Sequence, residues 1–438
     1  MRLITAQEAR ATVLQRRPWR VDRLPDAVRQ RTMAAFGEDV SPEEAVTRVF
    51  QDVAARGDAA VREYTERLDG VRLEDFEVPR ARWDEALASL EPGLREALSL
   101  AAQRIRAFHE ALLPREQGSR AEGAWLRWTP VARAGIHVPG GLASYPSSLL
   151  MTAIPASVAG VDEVVVVTPP GRLSPALLAV AALAGVRRLF SVGGIQAIAA
   201  LAHGTESIPK VDVIAGPGNL FVQLAKQRAF GLVGIDGLYG PTEMVLIADD
   251  SADPAWCAAD LLAQAEHDPM ATPLCLTPSR SFAEAVQQQV QTQLRSLPRA
   301  EQIRAALQGQ GAIVVVRDIP EAVALANDFA PEHVSLAVRD AEAWLPLVRH
   351  AGGVFLGEGT PESLGDYVIG PSHVMPTSGS ARFTSVLNVH HFLKATAVFA
   401  TEPALMRSLA PAAVRIAQEE GLPAHANAVA LRLQERRP

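Results

Sequence analysis

The sequence predicts an α/β protein with two lobes, each built on a parallel sheet. Short apolar runs rich in β-branched residues, such as EVVVV and EMVLIA, end in Gly, Pro or Asp. Continuous apolar runs of this length are typical of strands that are buried on both faces. Ala- and Leu-rich stretches with helical patterns separate these runs, as expected for alternating strands and helices.

The predicted elements divide the chain into four ranges. Region 1–130 is predicted to be helical, and within it Ser41 has the pattern of an N-cap, with Glu44 three residues later. The first lobe, 131–240, contains the strand candidates AGIHVPGG, DEVVVVTPPG, RRLFSVGG and VDVIAGPGN. The second lobe, 241–380, contains EMVLIADD, ATPLCLTPS, GAIVVVRD, HVSLAV and GGVFLGEG, and region 381–438 returns to helical patterns.

Composition excludes several classes of protein. A chain of 438 residues exceeds the size of one core, and 48 % hydrophobic against 21 % charged residues is ordinary for a globular protein. With 42 basic and 49 acidic residues, the net charge of −7 argues against a nucleic-acid partner. No GxxxxGK[ST] or GxSxG motif is present, which argues against a P-loop nucleotidase and a serine hydrolase of the elbow type.

The sequence also predicts a cytoplasmic protein without a membrane role. Its first segment has no apolar run that could serve as a signal peptide, and the longest apolar stretch, Ala176–Val186, is shorter than the ~18 residues of a spanning helix. Cys257 and Cys275 have no CxxC spacing, so neither a disulfide scaffold nor a thiolate zinc cluster is expected. Cys257 lies in an apolar helical pattern and is interpreted as an inert core residue.

The motif GPGN at Gly216–Asn219 lies between a strand candidate and a helix candidate. Backbone N–H groups at such a helix start can hold an anion, although a plain turn explains the same residues because the third Gly of GxGxxG is missing. Other Gly-rich turns, at Val138–Gly141 and Val192–Gly194, also end strand candidates, which favours a dinucleotide crevice. Asp236 is a weak candidate for a ribose-binding acid.

Two further groups of residues could carry chemistry. Gln264 and His267 are three apart on a predicted helix, a spacing that is usually a polar helix end. They could form an open zinc site with further ligands, for which the candidates are Asp366, His373 and His425. Glu332 and His333 follow Pro331, which holds the preceding residue out of helical geometry. The pair could act as a general base, or it could be a solvated Glu beside a capping His.

Together these motifs resemble the histidinol dehydrogenase family along almost the whole chain. The ordered segments include VAARGDAAVREYTERLDG, GIHVPGGLASYPSSLLMTAIPASVAGV, VGGIQAIAALAHGTESIPKVDVIAGPGN, GPTEMVLIADD, DLLAQAEHDP, NDFAPEHV, TPESLGDYVIGPSHVMPTSGSARFTS and EGLPAHANAV. The resemblance implies two incomplete Rossmann-like domains with parallel sheets, plus small helical N- and C-terminal domains. It also implies a homodimer in which the C-terminal tail completes the partner's active site.

The resemblance implies an activity and a role for each candidate residue. The activity is oxidation of L-histidinol to L-histidine through a bound aldehyde, with zinc and two NAD, at the last step of histidine biosynthesis. Glu332 and His333 match the catalytic pair. The residues that match the zinc ligands are Gln264, His267, Asp366 and His425. The residues that match the substrate site are these four, Glu332, His333, Thr242, His373 and Glu420. The residues that match the NAD site are His137, Gln196 and Asn219.

Three departures from the family pattern keep an alternative open. His137 stands where the family usually has Tyr, Thr242 replaces the Ser of GPSE, and NVHHF at Asn388–Phe392 is unusual. A related NAD-dependent dehydrogenase of another polar alcohol, such as a sulfonated diol, is therefore the second hypothesis. A non-catalytic two-lobed binding protein is the third, because fold does not fix function. The ligand types also suit cobalt or manganese in place of zinc.

Overall fold

The structure is a computed structural model that describes residues 1–16, 26–140 and 145–434. The last residue of the predicted turn at Val138–Gly141 and the three residues after it lie outside the described part. The chain forms two compact units: the first comprises Met1–Leu112 with Val131–Phe392, and the second comprises Leu113–Pro130 with Leu393–Pro438. Each unit combines two separate stretches of the chain, so the units do not coincide with the four predicted ranges.

The elements are numbered in chain order. The strands are β1 (Arg2–Thr5), β2 (Gln117–Ser119), β3 (Ala124–Pro130), β4 (Arg133–His137), β5 (Glu163–Val167), β6 (Arg188–Phe190), β7 (Val213–Ala215), β8 (Gly234–Ile235), β9 (Glu243–Ala248), β10 (Thr272–Thr277), β11 (Ala312–Val315), β12 (His333–Ala337), β13 (Gly353–Leu356) and β14 (Leu393–Phe399).

The α-helices are α1 (Ala6–Ala11), α2 (Asp26–Phe36), α3 (Pro42–Arg56), α4 (Asp58–Asp69), α5 (Arg80–Ser89), α6 (Pro92–Ala111), α7 (Pro146–Val158), α8 (Pro175–Leu183), α9 (Gly194–His203), α10 (Leu220–Ala229), α11 (Pro254–Ala265), α12 (Arg280–Leu294), α13 (Ala300–Gly309), α14 (Ile319–Phe329), α15 (Ala341–Trp344), α16 (Glu362–Tyr367), α17 (Pro403–Glu419) and α18 (Pro423–Ala430). As predicted, Ser41 caps α3 by accepting a hydrogen bond from the Glu44 backbone N–H at 3.1 Å.

Both lobes of the first unit are parallel sheets with the same pattern of strand order. The first sheet has the order β6-β5-β4-β7-β8, and the second has the order β1-β11-β10-β9-β12-β13. Apart from the added edge strand β1, each order is that of a five-stranded Rossmann sheet that lacks its sixth strand. The predicted fold class, α/β with two incomplete Rossmann-like sheets, is therefore confirmed.

The apolar strands are buried on both faces, as their continuous hydrophobic runs predict. In β9, Met244 and Leu246 pack into the core cluster that contains α11 and α12. Val245 and Ile247 of the same strand pack into the opposite cluster, with α14. Alternation of side chains along a strand requires this division, so both faces of such a strand favour apolar residues.

Four strands lie in regions that were predicted to be helical. β1 joins the edge of the second sheet beside β11. In the second unit, β2, β3 and β14 form an antiparallel sheet in the order β14-β3-β2, accompanied by α17 and α18. β14 pairs with a strand more than two hundred residues earlier in the chain. The partners of β1 and β14 lie far away in the chain, and β1 has only 4 residues.

None of the helices in the described part of the chain combines the length and the apolar character that crossing a membrane requires.

Candidate active site

Glu332 and His333 lie at the amino end of β12, on a turn that follows α14. The helix ends at Phe329, and Ala330 takes a left-handed conformation with φ of 51° and ψ of 64°. Both members of the pair are buried, with relative exposures of 8 % and 3 %. Burial excludes the interpretation of a solvated Glu beside a capping His, and the defined turn agrees with the prediction made from Pro331.

Glu332 contacts the start of β9, the neighbouring strand. Its carboxylate accepts hydrogen bonds from the Thr242 hydroxyl at 2.6 Å and from the Glu243 backbone N–H at 3.2 Å. Burial raises the pKa of Glu332 to about 7, although the charge of His333 and these hydrogen bonds oppose the rise. The carboxyl group can therefore gain and lose a proton near neutral pH, as an acid–base group must.

The Thr242 hydroxyl links Glu332 to Gln264. Its oxygen lies 2.9 Å from Oε1 of Gln264 and 2.6 Å from the Glu332 carboxylate. Since one hydroxyl proton can serve only one acceptor at a time, the acceptor it chooses depends on the protonation of Glu332. Thr242 therefore connects the acid–base residue to a candidate metal ligand.

His333 is oriented by a second buried carboxylate, that of Glu362. Nδ1 of His333 lies 3.1 Å from Glu362 and 3.1 Å from Nε2 of Gln264. A carboxylate only accepts, so Nδ1 carries the proton and Nε2 is the ring atom left for a reactant. Nε2 has no hydrogen-bond partner among the described residues. Burial would lower the pKa of His333, but Glu362 and Glu332 outweigh it and raise the pKa to about 10.

Glu362 was not predicted as a site residue. It begins α16, is 2 % exposed, and accepts hydrogen bonds from Ser335 at 2.9 Å and from the amide of Gln264. It stands four residues before Asp366, so the two carboxylates share one side of the helix. That spacing in TPESLGD was the available signal, but paired acids on a helix are commonly a solvated face.

The candidate metal ligands Gln264, His267 and Asp366 belong to the first unit. Gln264 is buried in the last turn of α11, and His267 follows that helix. Asp366 lies on α16. Asp366 and His267 are close enough to His373 to act on its pKa, which burial lowers and which Asp366 partly restores. Imidazole nitrogen with carboxylate and amide oxygens suits zinc chemically.

Within residues 1–16, 26–140 and 145–434, no group of three or more His, Cys, Asp or Glu side chains forms a metal site. The predicted set differs from such a group because Gln264 supplies an amide oxygen, and because His425 belongs to the second unit. There, His425 lies on α18, and Glu420 directly follows α17; both residues are exposed. That these two residues complete the site stays a prediction.

His373 is held between two elements of the first unit. Its Nδ1 lies 2.7 Å from the backbone carbonyl of Asp366, and its Nε2 lies 3.1 Å from the Ser148 hydroxyl. Ser148 is on α7, the helix that follows β4 of the first sheet. The contact therefore joins the surroundings of Asp366, in the second lobe, to the first lobe.

The candidate cofactor residues surround the carboxyl ends of the first sheet. Strand order reverses there between β4 and β7, which is where open α/β sheets bind their ligands. His137 ends β4, with Nδ1 2.8 Å from the Pro217 carbonyl, and burial lowers its pKa to about 4. Asn219 caps α10, and its side-chain oxygen accepts from the N–H groups of Phe221 and Val222.

Gln196, on α9, has an unsatisfied polar atom near the same edge. Its Nε2 donates to Asp69 at 3.1 Å, and its Oε1 is buried without a partner among the described residues. Nε2 of His137 is buried and unpartnered in the same way. Buried polar atoms are rarely left unpaired, so both atoms are available to a bound ligand.

A buried ion pair holds the turn at Gly216. Lys226 contacts Asp236 at 2.5 Å and donates to the Gly216 carbonyl at 2.9 Å, and Asp236 accepts the Gly216 N–H at 2.7 Å. Gly216 has φ of 114°, and a Cβ there would lie 2.2 Å from the His137 carbonyl oxygen. Since its carboxylate is used by this pair, Asp236 is not a ribose-binding acid.

The comparisons with known proteins agree with the motifs. The family model described as histidinol dehydrogenase matches residues 35–433. The chain belongs to the histidinol dehydrogenase family. A histidinol dehydrogenase of Deinococcus radiodurans is 47 % identical over 443 residues, which cover 99 % of this chain and 100 % of that protein. One of Rhizobium meliloti is 47 % identical over 418 residues, covering 92 % and 96 %.

Solved structures of the family have the same fold. The crystal structure of histidinol dehydrogenase from Elizabethkingia anophelis is similar to this chain with a TM-score of 0.89 and 34 % identity, covering 98 % of this chain and 97 % of that one. Membership of an enzyme family leaves no support for the hypothesis of a non-catalytic binding protein. The interpretation of Cys257 also agrees with the structure, because it is 2 % exposed and burial raises the pKa of its thiol.

Proposed function

We propose that this protein oxidises L-histidinol to L-histidine through bound L-histidinal, with two NAD, at the last step of histidine biosynthesis. One observation carries the proposal: a buried Glu332–His333 pair is joined through Thr242 and Glu362 to Gln264, in a chain that is 47 % identical to histidinol dehydrogenases over nearly its full length. The pair supplies groups that can accept protons, which alcohol oxidation requires.

Gln264, His267, Asp366 and His425 would hold Zn²⁺. The orientation of Gln264 supports this assignment. Glu362 accepts a hydrogen bond from the amide N–H of Gln264, so Oε1 of Gln264 points away from the Glu362 carboxylate. When bound, zinc would supply a fixed positive centre that anchors the nitrogen atoms of the substrate. The remaining candidate substrate residues, Thr242, His373 and Glu420, would shape and orient the pocket around the amino alcohol.

In the first oxidation, Nε2 of His333 would accept the hydroxyl proton of the carbinol, and bound NAD⁺ would supply the hydride acceptor, so that the aldehyde is formed. The pKa of about 10 means that the free site holds His333 as an imidazolium. Positive charge arriving with the substrate's ammonium group lowers this pKa, and so releases the basic nitrogen when substrate is present. Glu362 keeps the proton on Nδ1 throughout.

In the second oxidation, Glu332 removes a proton from water as it adds to the aldehyde. This leaves the hydrate anion, which would lose its remaining hydroxyl proton to His333 once His333 has returned its first proton to solvent. A second NAD⁺ would accept the hydride, and the product would be the carboxylate. The pKa of about 7 suits Glu332 to this exchange with water near neutral pH. Burial of both side chains keeps bulk water away from the aldehyde until the second step.

NAD would bind at the carboxyl edge of the first sheet, with His137, Gln196 and Asn219 as its contacts. The support is the reversal of strand order between β4 and β7, together with the unpartnered buried atoms of His137 and Gln196. Because its pKa is lowered to about 4, His137 is neutral at pH 7. Its Nδ1 donates to the Pro217 carbonyl, so Nε2 carries no proton and can accept a hydrogen bond from NAD.

We also propose a cytoplasmic homodimer in which the second unit supplies Glu420 and His425 to a shared site. Large apolar side chains on this unit are exposed, with Ile416 at 59 %, Leu409 at 52 % and Leu431 at 54 %. Isolated exposed apolar residues are ordinary, but several on one small unit are typical of a surface covered by a partner.

A dehydrogenase of another polar alcohol is the second candidate, supported by Thr242 and His137. The Thr242 hydroxyl lies within hydrogen-bonding distance of Glu332 and Gln264, and a serine hydroxyl could lie there too, so only the extra methyl changes the pocket. A panel of polar alcohols, including sulfonated diols, separates the two candidates. Histidinol that is inert while another alcohol reacts would favour the second.

The experiment that tests the proposed function is steady-state NADH formation from L-histidinol before and after chelation. We expect activity in the untreated protein, loss after chelation, and recovery when Zn²⁺ is restored. Activity that survives complete metal removal would contradict the assignment of Gln264, His267, Asp366 and His425. Addition of Co²⁺ or Mn²⁺ in place of Zn²⁺ tests the metal preference in the same assay.

A further inference from the structure

Arg16 connects the N-terminal segment to the turn that carries the catalytic pair. Its guanidinium donates to the backbone carbonyl of Phe329 at 2.9 Å from Nε, and to that of Ala330 at 3.2 Å from Nη2. It also forms a two-pronged ion pair with Glu243, in which Nη2 lies 2.8 Å from Oε2. The guanidinium stacks over the Phe329 ring at 3.7 Å from the centroid.

The carbonyls that Arg16 holds belong to a strained turn. Ala330 has φ of 51°, although it has a Cβ and precedes proline. A non-glycine residue keeps such a conformation only where its surroundings determine it firmly. Hydrogen bonds to the carbonyls of Phe329 and Ala330 do this directly, and Glu332 and His333 follow within three residues.

The ion pair of Arg16 reaches the catalytic pair by a second route. Glu243 is buried, and its backbone N–H donates to Glu332 at 3.2 Å. The Ser378 N–H donates to the same Glu243 carboxylate at 3.1 Å. Without Arg16, the negative charge of Glu243 would stand uncompensated beside the buried carboxyl of Glu332.

We propose that Arg16 is a positioning residue for the Glu332–His333 pair, which it holds in place through the strained turn at Ala330 and the ion pair with Glu243. The inference rests on the proposed function, since it assumes that the pair carries out the oxidation. Arg16 is separated from Phe329 by 313 residues, so the N-terminal segment takes part in organising a distant site.

The test compares R16M with R10M, a matched control. Arg10 lies in the same segment and pairs with Asp328 at 3.3 Å, but both side chains are largely exposed. For R16M we expect kcat with L-histidinol to fall roughly 10- to 100-fold while the KM values for histidinol and NAD change by less than about threefold. For R10M, kcat should stay within about twofold of the wild type.

A330G separates positioning from a general loss of structure. Glycine takes a positive φ at little cost, so R16M/A330G should recover part of the kcat that R16M loses. R16K keeps the charge but loses the planar fork, so its kcat should lie between those of the wild type and R16M. If R16M does not fold, R16K and R16K/A330G provide the same comparison.

The outcomes are separable. The positioning role is overturned if the kcat of R16M lies within about twofold of that of R10M. It is also overturned if R16M/A330G has no higher kcat than R16M. Wild-type protein that forms no NADH from L-histidinol overturns the proposed function instead. The wild-type reaction in the same assay therefore tells which of the two has failed.

Discussion

Nδ1 of His333 lies 3.1 Å from the carboxylate of Glu362, and the two side chains are 4 % and 2 % exposed. A buried carboxylate at this distance fixes both the ring orientation and the position of one proton. Glu362 therefore has the relation to His333 that an orienting acid has to a catalytic histidine, and the proposed chemistry is left to Nε2.

Glu362→Gln should lower activity by roughly 10- to 100-fold, because an amide cannot accept from His333, Ser335 and Gln264 as a carboxylate does. Removing that charge should also lower the pKa of His333. Because His333 must be deprotonated to act as a base, the acidic limb of the pH profile of kcat should shift to lower pH. Glu342→Gln, at an exposed position, is the matched control and should leave both kcat and the profile unchanged. Identical profiles for the two variants would exclude an orienting role for Glu362.

The raised pKa of Glu332 predicts a pH-dependent cost to stability in the metal-free protein. Because its folded-state pKa is about 7 and its ordinary value is 4.5, its contribution is fully present below pH 4.5 and is lost as pH rises through 7. Glu332→Gln should therefore raise the free energy of unfolding by about 1–3 kcal/mol at pH 8, with little gain at pH 4.5. Urea unfolding at the two pH values measures this, and equal effects at both would contradict it.

The two members of the pair should differ in which oxidation they affect. His333→Asn should slow both steps by roughly 10²–10⁴-fold, because the same nitrogen accepts a proton in each. Glu332→Gln should slow oxidation of added L-histidinal more than oxidation of L-histidinol to the aldehyde. Single-turnover NADH formation from each substrate separates the steps, and equal losses in Glu332→Gln would remove Glu332 from activation of water.

Removing one member of the buried Lys226–Asp236 pair should lower the free energy of unfolding more than removing the charges of both. Lys226→Met leaves the Asp236 carboxylate buried without its partner, and should lower the free energy of unfolding by about 3–5 kcal/mol. Adding Asp236→Asn should restore part of that loss. If the change in the free energy of unfolding in the double variant equals the sum of the changes in the two single variants, the side chains are not coupled.

Sequence patterns predicted the sheets of both lobes because most of their strands are runs of mainly apolar residues. Burial on both faces leaves a continuous run that is visible in one segment alone, as in EMVLIA of β9. β14 and β3 could not be predicted in this way, because each becomes a strand only by pairing with the other. Their own sequences carry a mixture of polar and apolar residues.

The candidate catalytic pair could be proposed from the sequence, but the residues that contact and orient it could not. Glu332 and His333 stand next to each other after a proline, whereas Arg16 and Glu362 act on them from other segments. A single Arg near the N-terminus and a Glu on a short helix have the appearance of solvated surface residues. Only the fold brings their charges to a buried turn.

The second sheet presents the pair at the amino ends of β9 and β12, not at the carboxyl ends. Sequence reasoning about open α/β sheets favours the carboxyl ends, where the candidate cofactor residues of the first sheet lie. The two lobes share a pattern of strand order but use opposite edges. The position of Glu332 and His333 therefore could not be inferred from the order of predicted strands and helices alone.

The most direct test of the proposed four-electron oxidation is the final yield of NADH from a limiting amount of L-histidinol with NAD in excess. Two hydride transfers without release of the aldehyde predict about two NADH for each histidinol, with L-histidine as the product. A yield of one NADH, with L-histidinal free in solution, would contradict the account.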